Sequence, residues 1–215
     1  MLFNEILADP VVKDKYGLYM PAFGKTDHTD HSINHALSVV ASGERVARLF
    51  NLNEKQIDNI KVSALLHDIG INNTGRDNHA HNGANWVQTY LQGKNINGRD
   101  LVDIVGAVRY HSCGSSKELT ALIVTFADKI DYTKSRLLPN GYNERGCRQV
   151  AYVLRVDTAI ENNCFVVNFV TDGKIDMSEL REYYFLKKIF SATENLARHF
   201  GLSSKVCFDG DLFEM

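Results

Sequence analysis

The sequence lacks the features that mark several protein classes. No apolar run approaches the ~20 residues that a membrane helix needs. The N-terminal segment MLFNEILADP carries acidic residues where a signal peptide has basic residues and an apolar core. The four cysteines are scattered without CxxC spacing, which is typical of free thiols in a reducing compartment. We therefore expect a cytoplasmic protein that needs no disulfide bonds.

An excess of charge of one sign is also missing. The chain of 215 residues has 24 basic and 26 acidic residues, which gives a formal net charge of −2. Binders of nucleic acids and membrane surfaces usually carry a basic excess, so we expect neither kind of partner. With 44% hydrophobic residues, the chain is long enough to bury its own core. The length suits one domain, or one domain with a small appendage.

Hydrophobic periodicity predicts a mainly α fold in the first two thirds of the chain. Apolar residues recur at three- and four-residue intervals in five segments, and we expect helices over about 32–50, 54–67, 79–91, 101–110 and 117–137. Only three prolines occur, and they lie between these segments or outside them.

The pattern changes after Pro139. Alternating apolar residues from Val150 to Val156 predict a strand, and CFVVNFV predicts a second strand after the turn ENN, so we expect a β-hairpin. Asp176 with Glu179 is typical of a capping box at the start of a closing helix. We therefore divide the chain into a helical domain, residues 1–138, and a hairpin-plus-helix appendage, residues 139–215, packed on it.

Histidines are unevenly distributed along the chain. Seven of the eight lie between His28 and His111. Side chains that can bind metals lie near the ends or on the inward faces of all five predicted helices, and in a helical bundle such side chains can converge on one site. Imidazole and carboxylate ligands without thiolate suit Mn, Fe, Co, Ni or Zn, and carboxylate-rich positions also accept Mg. The candidate ligands are His35, His67, Asp68, His79 or His81, His111 and Asp128.

Six positions are more than one tetrahedral zinc ion needs and are enough for two ions. Adjacent helical residues project about 100° apart. His67 and Asp68 can therefore serve neighbouring ions, or Asp68 can bridge both ions with its two oxygens. A two-metal site activates water and stabilises the oxygens of a phosphoryl displacement. The sequence alone leaves one ion and two ions both open.

Simpler explanations exist for each histidine taken alone. A single histidine is more often a hydrogen-bonded core or surface group than a ligand. His28 and His31 lie in or beside a polar loop, so we interpret them in that way. Only one of His79 and His81 is expected to point inward. A structural zinc module is disfavoured, because such sites prefer cysteine-rich ligand sets.

The ordered set His35…His67-Asp68…Asp128 resembles the HD-domain superfamily of metal-dependent phosphohydrolases, over about residues 28–137. Within it, the chain looks like the bacterial HD-domain symmetrical diadenosine tetraphosphatases. The segments that carry this likeness are His79-Ala-His-Asn-Gly83-Ala84, His111-Ser-Cys-Gly114 and Ala127-Asp128-Lys129-Ile130. The spacing of the first segment favours His79 over His81 as the ligand.

The chain departs from that branch at two places. Tyr132 and Lys134 stand where the tetraphosphatases carry a proline and an arginine, and the hairpin has no counterpart in that all-helical branch. The Glu-Asp pair of alarmone hydrolases and the Gly-Tyr-Pro of the cyclic-dinucleotide branch are both missing. The resemblance therefore leaves the substrate open within the phosphate class.

The resemblance implies an HD-domain helical bundle with a C-terminal β-hairpin and a closing helix. It implies hydrolysis of a phosphate ester or anhydride of a small nucleotide-type molecule, with a dinucleoside polyphosphate among the candidates, by a metal-bound hydroxide. His67 and Asp68 would be the catalytic pair, and one or two divalent ions would be the cofactor. The candidates for binding phosphate oxygens are Lys129, Lys134, Arg76 and Arg109.

A non-catalytic alternative is an inactive HD domain that senses a nucleotide or a metal. In that case the C-terminal hairpin and helix would form a partner or dimer surface. The exposed edge of a lone hairpin is covered either by a second copy of the chain, as a homodimer, or by the last helix. The sequence does not choose between these two arrangements.

Overall fold

The structure, a computed structural model, describes residues 1–71, 76–94, 96–114 and 116–214. The chain forms two compact units. The first comprises Met1–Phe23 and His31–Asp128, and the second comprises Gly24–Asp30 and Lys129–Met215. The division at residue 138 that we expected from the sequence stays a prediction. Among the described helices, none combines the length and apolar character needed to cross a membrane.

The first unit is entirely helical in its described part. Three of its longer helices begin at side chains that accept hydrogen bonds from the first turn: Ser32, Asn53 and Asn97. Asn53 forms a complete capping box with Gln56. The helices are α1 (Leu2–Ala8), α2 (Pro10–Gly17), α3 (Tyr19–Phe23), α4 (Ile33–Leu49), α5 (Glu54–Leu66), α6 (His79–Gln92), α7 (Gly98–Tyr110) and α8 (Leu119–Ile130), of which the last two residues belong to the second unit.

One apolar core holds this bundle together. Helices α4 to α8 each bury an apolar face in it, and burying one such side chain contributes about 1.5–3 kcal/mol. Helix α1 is attached to α5 by a buried carboxylate, since Asp58 accepts the backbone N–H groups of Leu2 and Phe3 at 2.9 and 3.3 Å. Because the helices are packed together, the positions of their ends relative to one another are fixed.

The second unit contains a small sheet and two helices. Strand β1 (Val153–Glu161) pairs antiparallel with β2 (Cys164–Thr171), which pairs parallel with β3 (Ser203–Phe208). The short β4 (Asp211–Leu212) pairs antiparallel with β3, so the order is β1-β2-β3-β4. Between β2 and β3 the chain forms α9 (Met177–Arg181) and α10 (Phe185–His199). Three 3₁₀ segments, Lys134–Arg136, Pro139–Asn143 and Cys147–Tyr152, precede the sheet.

The predicted hairpin is confirmed. Its loop consists of Asn162 and Asn163, whose φ angles are 49° and 61°. Two consecutive positive φ angles in a two-residue loop define a type I′ turn, for which asparagine is a preferred residue. The hairpin is only half of the sheet, which also contains β3 and β4. These two strands were not predicted from the sequence.

The helix predicted over 117–137 is too long. Helix α8 ends at Ile130, and the following residues bond to a distant segment of the same unit. Asp30 N–H donates to the carbonyl of Arg136 at 2.7 Å, and Leu138 N–H donates to the carbonyl of His28 at 3.0 Å. These long-range backbone bonds replace the i→i−4 bonds that a continued helix would have made.

Two further predictions in this unit are wrong in detail. The residues from Val150 to Tyr152 are 3₁₀ helix, and the strand begins at Val153, where a register shift between Val153 and Arg155 interrupts the alternation. The closing helix is two helices. Asp176 caps α9 as expected, but the Glu179 carboxylate accepts from Gly146 N–H at 2.7 Å and from Arg148 Nε at 2.9 Å.

The Glu179 interactions predict a pH-dependent contribution to stability. The hydrogen bond from Arg148, together with that from Gly146, lowers the pKa of Glu179 to about 2. Its stabilisation is therefore complete above the unfolded-state pKa and is lost as the pH falls towards 2. We expect Glu179→Gln to lower the free energy of unfolding by about 1.5–3 kcal/mol at pH 7, measured by urea denaturation. The difference in the free energy of unfolding between Glu179→Gln and wild type should become smaller as the pH falls from 5 to 2.

Glu182→Gln is the matched control, since Glu182 pairs with Arg145 and both side chains are more than 60% exposed. Exposed ion pairs contribute little to stability, because water and salt screen the two charges. Two results would contradict a stabilising role of the Glu179 carboxylate. One is an equal loss of unfolding free energy in Glu179→Gln and Glu182→Gln, and the other is a loss in Glu179→Gln that does not depend on pH.

Candidate metal centre

The six predicted ligands meet at one place in the first unit. His35 lies in the first turn of α4, His67 and Asp68 directly follow α5, and His79 is the first residue of α6. His111 follows α7, and Asp128 lies in α8. Five of the six are buried, with exposed fractions of 6% or less; His79 is partly exposed.

Four of these residues form a first ligand group. The Nε2 atoms of His35 and His67 lie 3.1 Å apart. Asp128 Oδ1 lies 3.2 Å from the former and 3.8 Å from the latter. Asp68 Oδ2 lies 3.3 Å from His67 Nε2 and 3.6 Å from His35 Nε2. Two imidazole nitrogens and two carboxylate oxygens therefore surround one small volume.

A second ligand group lies on the other side of Asp68. The Nε2 atoms of His79 and His111 are also 3.1 Å apart. Asp68 Oδ1 lies 3.4 Å from each of them. The two oxygens of Asp68 are thus divided between the groups, one facing each pair of imidazoles.

Backbone carbonyls fix the orientation of three of the rings. The Nδ1 atoms of His67, His79 and His111 each lie 2.7 Å from the carbonyl oxygen of the residue three positions earlier. A carbonyl oxygen only accepts, so Nδ1 carries the proton and Nε2 is directed to the centre. Metal-binding histidines usually donate their second N–H to such an acceptor, which sets the tautomer.

The close Nε2 pairs fit a shared cation. His79 and His111 both carry the proton on Nδ1 and direct their Nε2 lone pairs at each other, so a proton or a metal ion is needed between them. Burial lowers the pKa of His111 to about 4, and this disfavours an additional proton at neutral pH. Two nitrogens bound at right angles to one ion, with bonds of about 2.1 Å, are about 3.0 Å apart. The donor set therefore fits divalent transition metals.

The carboxylates attract positive charge to the centre. Burial would raise the pKa of Asp68, but the neighbouring His67 and His31 offset this and hold it well below its usual value. Burial would lower the pKa of His67, yet Asp68 and Asp128 outweigh it and raise that pKa. A cation bound here competes with protons for the same nitrogens.

His31 is the residue that the sequence analysis missed, since we interpreted it as a loop residue. Its Nδ1 lies 2.6 Å from Asp68 Oδ2, and its Nε2 lies 2.8 Å from Arg76 Nη2. A guanidinium group only donates, so His31 accepts at Nε2 and donates from Nδ1 to Asp68. Its place directly before the helix start at Ser32, four residues from His35, was the available signal, because a residue just before a helix can still lie beside its first turn.

The predicted phosphate-binding residues are distributed over both units. Arg76 contacts His31, next to the centre. Arg109 Nη1 lies 2.8 Å from His81 Nδ1, and its Nη2 donates to Asn85 Oδ1 at 3.0 Å, so His81 binds an arginine while His79 lies at the centre. Lys129 and Lys134 belong to the second unit, where Lys129 is buried with its Nζ 6.0 Å from the centre of the Phe185 ring and Lys134 is exposed. Their roles stay predictions.

Comparison with known families decides the fold of this region. Residues 32–133 match the family model of the HD domain. This region is therefore similar to HD domains. All six predicted ligands lie within it, and the predicted mainly α fold with a β-containing C-terminal part is confirmed. The tetraphosphatase branch stays a prediction.

The chain is also similar to a solved structure. It is named a "predicted HD superfamily hydrolase" from an uncultured Thermotogales bacterium. The two chains share 25% identity, with 62% of this chain and 75% of that chain covered and a TM-score of 0.45. No curated protein matches the chain.

Two glycines allow His79 to reach the candidate metal centre. Gly70 follows His67 and Asp68, and it packs directly against the start of α6. A Cβ atom on Gly70 would lie 2.1 Å from the carbonyl oxygen of His79 and 2.5 Å from the backbone nitrogen of Gly83. Only a residue without a side chain permits this approach of two backbones.

We therefore expect Gly70→Ala to displace the first turn of α6. Overpacking of this kind costs about 1–3 kcal/mol, measured as the free energy of unfolding in urea, and it should also lower the metal content of the purified protein. Gly106→Ala in α7 is the control, because a Cβ atom there meets nothing within 4 Å. It should leave stability unchanged or raise it by about 0.5–1 kcal/mol. A stable, fully metal-loaded Gly70→Ala protein would overturn this interpretation.

Proposed function

We propose that this chain is a metal-dependent phosphohydrolase with a two-metal centre that acts on a small nucleotide-type phosphate. The observation that carries the proposal is the position of Asp68. Its two oxygens each face one close pair of histidines, 3.3–3.6 Å from the first pair and 3.4 Å from the second. A carboxylate between two such groups suits a bridge between two cations.

The ligands divide into two sets that share Asp68. His35, His67 and Asp128 would hold one ion, and His79 and His111 would hold the other. Bound Mn, Fe, Co, Ni or Zn ions supply Lewis-acid stabilisation of phosphate charge and lower the pKa of water. The imidazole-rich set favours these metals over Mg.

The residues around the ligands hold the centre in place. Arg76 donates to His31, His31 donates to Asp68 Oδ2, and backbone carbonyls orient the other rings. Partners behind metal ligands typically change metal affinity or activity by about 10–100-fold when they are removed. These contacts would hold the ligands in position before substrate binds.

The position of Arg76 also supports the proposal that the substrate is a phosphate. Arg76 is exposed and lies two hydrogen bonds from Asp68 through His31. A guanidinium group binds phosphate oxygens with paired N–H donors, so substrate can approach the centre on this side. The nucleotide part of the proposal is supported by the family resemblance.

The substitution Asp68→Asn tests the centre. It keeps the shape of the side chain and removes the charge that both ligand groups share. We expect the metal content, measured by plasma mass spectrometry, to fall from two ions per chain, and phosphate release to fall by at least about 100-fold. Release is followed over nucleoside polyphosphates, diadenosine tetraphosphate included, with each of the candidate metals.

Asp14→Asn is the matched control, since Asp14 is exposed on α2. It should retain both metal and activity. Retained turnover in Asp68→Asn would refute the enzymatic assignment. One ion per wild-type chain would refute the two-metal part, and bound metal without turnover on any substrate would favour a sensor.

Arg76→Ala tests phosphate recognition separately from metal binding. We expect KM, measured with metal in excess, to rise by about tenfold, the equivalent of one lost charge-assisted contact of about 1.4 kcal/mol. Excess metal keeps the centre loaded even where loss of the Arg76–His31 contact weakens metal affinity. The change in KM is measured by steady-state kinetics on the substrate that the phosphate-release screen finds to be hydrolysed fastest. Arg99→Ala, which removes an exposed arginine on α7, should leave KM unchanged. An unchanged KM in Arg76→Ala would remove Arg76 from the substrate site.

A further inference from the structure

Strand β1 forms one edge of the sheet in the second unit. The sheet order is β1-β2-β3-β4, and in the described part of the chain no strand pairs with the outer side of β1. The opposite edge is the two-residue strand β4, which is too short to extend a sheet. Proteins usually keep edge strands short or cover them, whereas β1 has nine residues.

The hairpin determines which backbone groups of β1 point outward. In a hairpin with a two-residue loop, the residues that flank the loop exchange both backbone hydrogen bonds. Here these are Glu161 and Cys164. Since the direction alternates along a strand, the N–H and C=O groups of Val156, Thr158 and Ile160 point away from β2.

The regular part of this edge is symmetric about one residue. It begins at Arg155, after the register shift, and ends at Glu161, before the turn. The residue in the middle is Thr158, whose backbone groups point outward. A second copy of β1 can therefore lie antiparallel to the first over the whole segment, with the two-fold axis at Thr158. The outward groups of the three residues would then pair completely.

The side chains agree with this register. In an antiparallel pair centred on Thr158, Arg155 of each copy lies opposite Glu161 of the other, so opposite charges meet twice. Val156 lies opposite Ile160, and Asp157 lies opposite Ala159, so no like charges are directly opposed. Arg155, Asp157 and Glu161 are exposed in the single chain, and so are the apolar side chains of Leu154 (58%) and Ile160 (38%). Opposite-charge and apolar cross-strand pairs both stabilise a sheet.

We propose that two copies of this chain form a homodimer by antiparallel pairing of β1 with β1, centred on Thr158, which joins the two four-stranded sheets. The occupant of the edge is a second copy because the charges along the strand are complementary to the same strand reversed. The homodimer proposal does not depend on the proposed metal centre, so an experiment that refutes one of them does not refute the other.

A charge exchange tests the register. Arg155→Glu places two carboxylates opposite each other at both ends of the paired segment, and Glu161→Arg places two guanidinium groups there instead. Each single variant should raise the dimer dissociation constant by about tenfold or more, measured by sedimentation equilibrium of the full chain. The double variant, Arg155→Glu with Glu161→Arg, should restore the wild-type constant. Lys205→Glu on β3 changes charge off the edge and should have no effect.

Thr158→Pro tests the backbone pairing. Proline removes an N–H that points away from β2, so the hairpin keeps its own hydrogen bonds while the two-fold contact loses its central pair. We expect a folded monomer, with circular dichroism as the check on folding. A monomeric wild-type chain would overturn the proposal, and so would a dimer that neither the proline nor the charge reversals weaken.

Discussion

A single buried carboxylate constrains the helical unit that holds the candidate metal centre. An unpaired charge in a protein interior costs several kcal/mol, and Asp68 is 2% exposed. Its charge is matched by the N–H that His31 donates and by the cations that the imidazoles from the surrounding segments would bind. The ends of the helices must therefore stay where these rings can reach it. The same negative charge attracts cations, so the interaction that constrains the fold also makes the site suitable for metals.

Most of this centre could be predicted from the sequence, because ligand chemistry and ligand order are properties of residue type. His35, His67, Asp68, His111 and Asp128 each lay at a helix end or on an inward face, and a bundle brings such positions together. The choice between His79 and His81 was not decided by helical periodicity alone; it depends on how close α6 comes to Gly70. His31 was not predicted, because its role depends on contacts with two residues that are distant in sequence, Asp68 and Arg76.

The fold was predictable to different degrees in the two units. In the first, apolar faces and capping residues placed the long helices within a few residues, since both signals are local. In the second, tertiary contacts overrode the local pattern. The pairing of residues 28–30 with 136–138 ended α8 early, and the irregularity after Val153 displaced the strand. Strand β3 has three consecutive buried residues, Val206, Cys207 and Phe208, and so lacks the alternation by which a strand is recognised.

The parallel pairing of β2 with β3 has a consequence for the order of folding. Hairpin closure needs only neighbouring residues, but the pairing of Cys164 with Ser203 closes a long connection that contains α9 and α10. Such non-local contacts have a large loop-closure entropy and form slowly. During synthesis the ribosome releases the hairpin before β3, so the nascent chain passes through a stage in which the β2 edge is open. At that stage the apolar segment FVV, which is mostly buried in the folded chain, would be more exposed to solvent.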